Sequence, residues 1–150
     1  VEVRRITVQG PESVAEFYQS MADRCESAQE RRLPQCMLDL LRELSAGGSE
    51  PVVWGLTSHE RLGLRAVDDW QAPSLVSIEP TTSGAWHIEC ALPADWRPWP
   101  AAVVRGHTAE LAEAVRRVWI GLRWAGLSVG GADAKQNIAG DREPESRLTG

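Results

Sequence analysis

The sequence predicts an α+β fold: an antiparallel sheet of four to five strands, with two N-terminal helices and one C-terminal helix packed on it. Three observations carry this reading. Apolar residues recur at helical spacing early in the chain and again from Thr108 to Ala125. Between those regions the period shortens to alternation, in segments bounded by Gly, Pro, Ser and Thr. One strand–helix unit, running from Ala85 to Gly126, is the best defined, and the other elements are expected to cover it.

Taken in order, Val1 to Val8 alternates imperfectly and is expected as a strand. Gly10-Pro11 punctuates it, with Pro11 suited to a first helical position. Val14, Phe17, Tyr18, Met21, Cys25 and Ala28 then predict a helix from Pro11 to about Arg31. Pro34 is expected to break or kink it and to start a second helix. Met37, Leu40, Leu41 and Leu44 supply that helix's stripe, and Gly47-Gly48 closes it. Short strands follow at Val52–Leu56, Leu62–Ala66 and Leu75–Ile78, linked by turns at Thr57–Glu60 and Pro80–Gly84 and a loop at Asp68–Pro73. Ala85 to Leu92 puts Trp86, Ile88 and Cys90 on one face and His87 and Glu89 on the other, the pattern of a half-buried strand. Pro93 to Arg105 reads as a crossing. The last helix, Thr108–Ala125, takes Thr108 as its N-cap, and Leu111, Val115, Val118 and Leu122 as its stripe. Gly126 ends it. Residues 1–127 are expected as one domain, and 128–150, poor in large apolar residues, as a mobile tail.

Composition narrows the function. A net charge of −5 argues against general nucleic-acid binding, which needs phosphate neutralisation. No apolar run approaches the roughly 20 residues that span a bilayer. Three cysteines (Cys25, Cys36 and Cys90) without CxxC spacing argue against a disulfide framework, and a reducing, cytoplasmic setting is expected. The N-terminus carries no signal pattern. Lys135 is the only lysine among 16 basic residues, a bias read as genome composition, of bacterial type.

Chemistry is sparse. His87 and Glu89, neighbours on one strand face, offer an acid–base pair for a small enzyme. His59, His87, Glu89 and His107 lack the spacing of a metal motif, and no cofactor is expected. There is no GxSxG, Walker A or GxGxxG motif. The unusual number is seven tryptophans against one Phe and one Tyr. Trp96 and Trp99 sit among Pro93, Pro98 and Pro100, where a stiffened backbone loses little entropy on ordering against another molecule. Trp119 and Trp124 are five residues apart, about 140° around a helix, so they cannot both centre one stripe. Asp68-Asp69-Trp70 forms an acidic loop suited to a basic partner.

Arg105-Gly106, Thr108, Glu110-Leu111 and Glu113-Ala114 resemble the helix start of HicB-like antitoxin domains. That resemblance spans under a tenth of the chain, and the long N-terminal helices depart from the family, so no role is carried over from it.

The expected function is that of a non-catalytic interaction protein, docking on a protein partner in an immunity, antitoxin or chaperone-like role. Its contact residues are expected among Trp86, Trp96, Trp99, Trp119, Trp124, Asp68, Asp69 and Trp70. A cleft lined by tryptophans that takes a small apolar ligand is the alternative, and the His87/Glu89 enzyme the second. An exposed edge strand or tryptophan patch also leaves room for a homodimer.

Overall fold

A computed structural model describes residues 1–128 of the chain. Strand β1 (Glu2–Arg5) leads into helices α1 (Val14–Arg24) and α2 (Ala28–Ala46). Strands β2 (Val52–Ser58), β3 (Arg61–Arg65), β4 (Val76–Pro80), β5 (Trp86–Ala91) and β6 (Val103–Thr108) follow, and helix α3 (Leu111–Trp124) comes last. The strands form one six-stranded sheet in sequence order. β1 and β2 are parallel, and every other neighbouring pair is antiparallel.

The α+β class and the β2–β5 meander agree with the sequence reading, while three details differ from it. First, the sheet is mixed rather than purely antiparallel. The two-helix crossover between β1 and β2 carries the chain back to the end of the sheet where β1 began, and a parallel pair needs such a crossover. Second, a sixth strand occupies part of the expected crossing and displaces the start of α3. Thr108 closes β6, and Glu110 rather than Thr108 stands at the N-cap. Third, the first helix ends at Arg24, and Pro34 lies inside α2 without ending it. The break falls at Cys25–Ser27 because two capping boxes define the helix starts. Ser13 and Ser27 each accept from the backbone of the glutamate three residues on, Glu16 or Glu30, which bonds back to the serine N–H. The expected tail, 128–150, lies outside the described residues from 129 onward.

All three helices cover one face of the sheet. Leu62, Leu64, Val76, Ile78 and Ile88 meet Tyr18, Met37, Leu40, Leu44, Val118 and Leu122 in a single buried core. The cross-strand register fixes this face: Leu62 pairs with Ile78, and Ile78 with Ile88. α3 approaches β5 very closely. A Cβ on Gly121 would lie 2.6 Å from both Cys90 Sγ and Val76 Cγ2, so only glycine fits. The opposite face carries Glu79, His87, Glu89, Arg105 and His107. Part of that face is covered by the β3–β4 loop, whose Ala72 carbonyl accepts from Arg65 Nε at 2.9 Å.

Gly121→Ala is expected to destabilise the protein by about 1–3 kcal/mol, through overpacking between α3 and β5. The shift in urea midpoint measures it, and a stability equal to wild type would contradict the close approach.

Candidate functional site

The site is built where α3 meets the outer strand β6. Leu92 N–H donates to the Ala102 carbonyl at 3.2 Å, which sets the alternation along the β5–β6 ladder. Residues 104, 106 and 108 turn their backbone groups toward β5, so Val103, Arg105 and His107 turn theirs away from the sheet. Among the described residues no strand pairs with that outer edge. Its far end is already engaged, because Arg117 Nη1 donates to the His107 carbonyl at 3.0 Å. A Cβ on Gly106 would run into Arg117 Nη1, so the glycine opens the path for the guanidinium.

Glu113 holds Arg117 in place. Its Oε1 accepts from Arg117 Nε at 2.7 Å, and Arg116 binds it through two further bonds of 2.7 and 2.8 Å. These two guanidinium partners pull the Glu113 carboxyl down to about 2 from its ordinary value of 4.5. On the other face Glu89 accepts from Arg61 at 3.3 Å and pairs with Arg105 at 3.2 Å.

Between β6 and α3 runs a groove of about 270 Å³. Ile88 and Cys90 floor it, Val104, Ile120 and Trp124 wall it, and Arg105 and Arg117 stand at its rim. Trp96 extends the apolar wall. Its ring lies edge-on to Trp124, with centroids 5.9 Å apart. The loop that carries it is held by a short 3-10 turn at Ala94–Trp96 and by Arg97 Nε donating to the Leu92 carbonyl at 2.6 Å. Ala101, at φ 61°, bends the chain back into β6. Trp96 and Trp99 remain 63% and 66% exposed, and Val103 and Val104 41% and 44%.

The structure thus brings Trp96 and Trp124 together and sets Trp99 on the same loop. It does not bring in the other tryptophans. Trp86 is a core residue, 4% exposed. Trp119 leans the other way around α3, against Gly47 at the end of α2. Trp70 is exposed, but its loop is tied elsewhere: Asp68 accepts from the Thr7 backbone N–H at 2.8 Å and from the Thr7 hydroxyl, beside β1 at the opposite sheet edge. Asp69 accepts from Gln71 N–H at 2.8 Å, within its own turn. Val103, Val104, Ile120, Arg105 and Arg117 are site residues that the sequence reading missed. The adjacent β-branched pair Val103-Val104 was the available signal for a strand.

The histidines fall on the open face. The His87 ring lies 4.8 Å from that of His107, its direct partner across β5 and β6, with the planes tilted by 46°, while Glu89 is engaged by two arginines. His59 lies in the β2–β3 turn at φ 54°. Among the described residues no group of three or more His, Cys, Asp or Glu side chains is placed to hold a metal ion, and no helix is long and apolar enough to cross a membrane. No protein-family model, curated protein or solved structure matches the chain.

Two outcomes follow. Burial pushes the Cys36 thiol up to about 12 and the Cys90 thiol up to about 11. Cys25 alone is therefore expected to react quickly with a thiol reagent in the folded protein at mildly alkaline pH, and all three once it is unfolded. Fast labelling of Cys90 would mean that the groove floor is open. Because the Glu113 carboxyl is depressed, its stabilising share is complete above pH 4.5 and is lost as pH falls toward about 2. Melting temperatures of wild type and Glu113→Gln are expected to converge across that window, and a constant gap would show that the ion triad does not titrate there.

Proposed function

We infer that the chain is a non-catalytic interaction protein that docks on a protein partner through the β6–α3 corner. The observation that carries this is the exposure of Trp96, Trp99, Val103 and Val104 beside a strand edge that no strand among the described residues pairs. Large apolar side chains left outside a filled core mark contact surfaces when they lie together, and indoles concentrate binding energy. An immunity, antitoxin or chaperone-like role suits such a surface.

Size limits the small-molecule alternative to a small apolar ligand. Pockets that bury drug-sized ligands run from about 300 to 1,000 Å³. A cavity of about 150 Å³ takes a benzene. The groove's 270 Å³ lies between the two, room for one or two apolar side chains of a polypeptide or for a ligand somewhat larger than benzene, and the strand edge beside it is what favours the polypeptide. The acid–base reading has less support, because Glu89 faces two guanidiniums and His87 faces a second imidazole.

The test is retention of a stoichiometric partner by the tagged chain from its native host, compared with a Trp96→Ala/Trp99→Ala double variant. Both indoles lie outside the core, so the variant is expected to keep its melting temperature and to lose the partner by at least about tenfold. Equal retention by the variant, or no stoichiometric partner at all, would remove this reading.

A further inference from the structure

We propose that His87 and His107 together bind a divalent transition-metal ion of the zinc, nickel or copper class, on the sheet face opposite the helices. The site lies away from the β6–α3 groove and does not depend on the docking reading.

The backbone brings the two imidazoles together. Trp86, Ile88 and Cys90 exchange backbone bonds with Thr108, Gly106 and Val104, which leaves His87 and His107 as a non-hydrogen-bonded pair of the antiparallel ladder. Side chains stand closer at such a pair than at a hydrogen-bonded one. Both residues are exposed. Among the described residues neither ring is held by a hydrogen bond or an ion pair.

The spacing fits a shared ion. A zinc–nitrogen bond of about 2.0–2.1 Å puts the centre of a coordinating imidazole roughly 3.2 Å from the metal. Two such rings at adjacent corners of a tetrahedral or square-planar ion therefore have centres about 4.5–5.2 Å apart. The His87 and His107 ring centres are 4.8 Å apart. The ladder fixes both Cα atoms, so closing on the ion needs only rotation about side-chain bonds.

Charge permits a dication here. Beside the pair stand Glu79, Glu89, Arg61 and Arg105, two charges of each sign. Both guanidiniums reach Glu89, at 3.3 and 3.2 Å, and Glu79 has no ion pair among the described residues. Glu79 is the register partner of His87 on β4, so its carboxylate lies next to the site. Arg117, at the His107 carbonyl, is itself bound by Glu113.

The donors select the ion. Neutral imidazole suits zinc, copper and nickel, whereas magnesium and calcium take oxygen ligands. Among the described residues no larger group of donors is assembled, so the pair is the whole protein contribution. Water fills the remaining positions, which makes the ion exchangeable rather than structural. Its binding ties β6, an outer strand, to β5.

The probe is zinc chloride, titrated into the full chain after stripping with a chelator that is then removed, with the histidine ring signals followed by NMR. One ion per chain is expected, shifting the His87 and His107 rings together in one saturable step and leaving His59 unmoved. Magnesium at millimolar concentration is expected to move neither ring. His87→Gln and His107→Gln are each expected to weaken zinc binding by about tenfold or more. The double variant is expected to lose little beyond either single one, because the two imidazoles act as a unit. Cys25→Ser, which removes the least buried thiol, is expected to leave binding unchanged. Response of one ring alone, one ion per two chains, binding that survives His107→Gln, loss of binding in Cys25→Ser, or equal binding of magnesium overturns the proposal. Should a histidine variant fail to fold, the joint ring response of the wild type decides the matter.

Discussion

The contact at Gly121 governs the rest of the molecule. Without a side chain there, α3 settles onto Cys90 and Val76, and its apolar stripe joins the sheet core. A helix held so close to β5 cannot also cover β6 fully. Val118 and Leu122 are buried inward, while Ile120 and Trp124 are left half-buried on the flank that faces the outer strand. The groove is the gap between a helix drawn toward the middle of the sheet and the strand it leaves uncovered.

That arrangement makes β6 an unusual edge. Natural edges are commonly shielded by charge, by bulges or by a covering element. Here the shielding is partial. Glu113 orients Arg117, and Arg117 occupies one outward carbonyl. The opposite edge is better guarded, since β1 carries the paired charges Arg4 and Glu2 and is flanked by the Asp68–Thr7 tie. The two edges differ in chemistry as well as in position: exposed Val8, Val67 and Trp70 lie near the β1 edge, while Trp96, Trp99, Val103 and Val104 lie at β6 beside the groove.

Whole-chain charge does not by itself say which charges a surface presents. An acidic chain with an Asp68-Asp69 loop leads to the expectation of a basic partner. Yet Asp68 is spent on Thr7 and Asp69 on its own turn, while exposed Trp96 stands between Asp95 and Arg97. Recognition depends on the charges within a Debye length of the contact, about 8 Å at physiological salt, so the local balance outweighs the sum.

Periodicity alone determined the class of fold, the two N-terminal helical stripes, the β2–β5 meander and the inward face of β5, because each depends on residues a few positions apart. It also placed Trp119 and Trp124 on different flanks of one helix. Local signals that were present but outweighed include the Ser13–Glu16 and Ser27–Glu30 caps, which set the helix break where Pro34 had drawn attention. Only the tertiary structure decided that β1 runs parallel to β2, that Val103–Thr108 is a strand, and that Trp96 meets Trp124 while Trp86 is sealed in the core. The reason is physical. Hydrophobic pattern says that a side chain must be covered, but it carries no information on which distant segment covers it, and an edge is defined by the neighbour that a strand lacks.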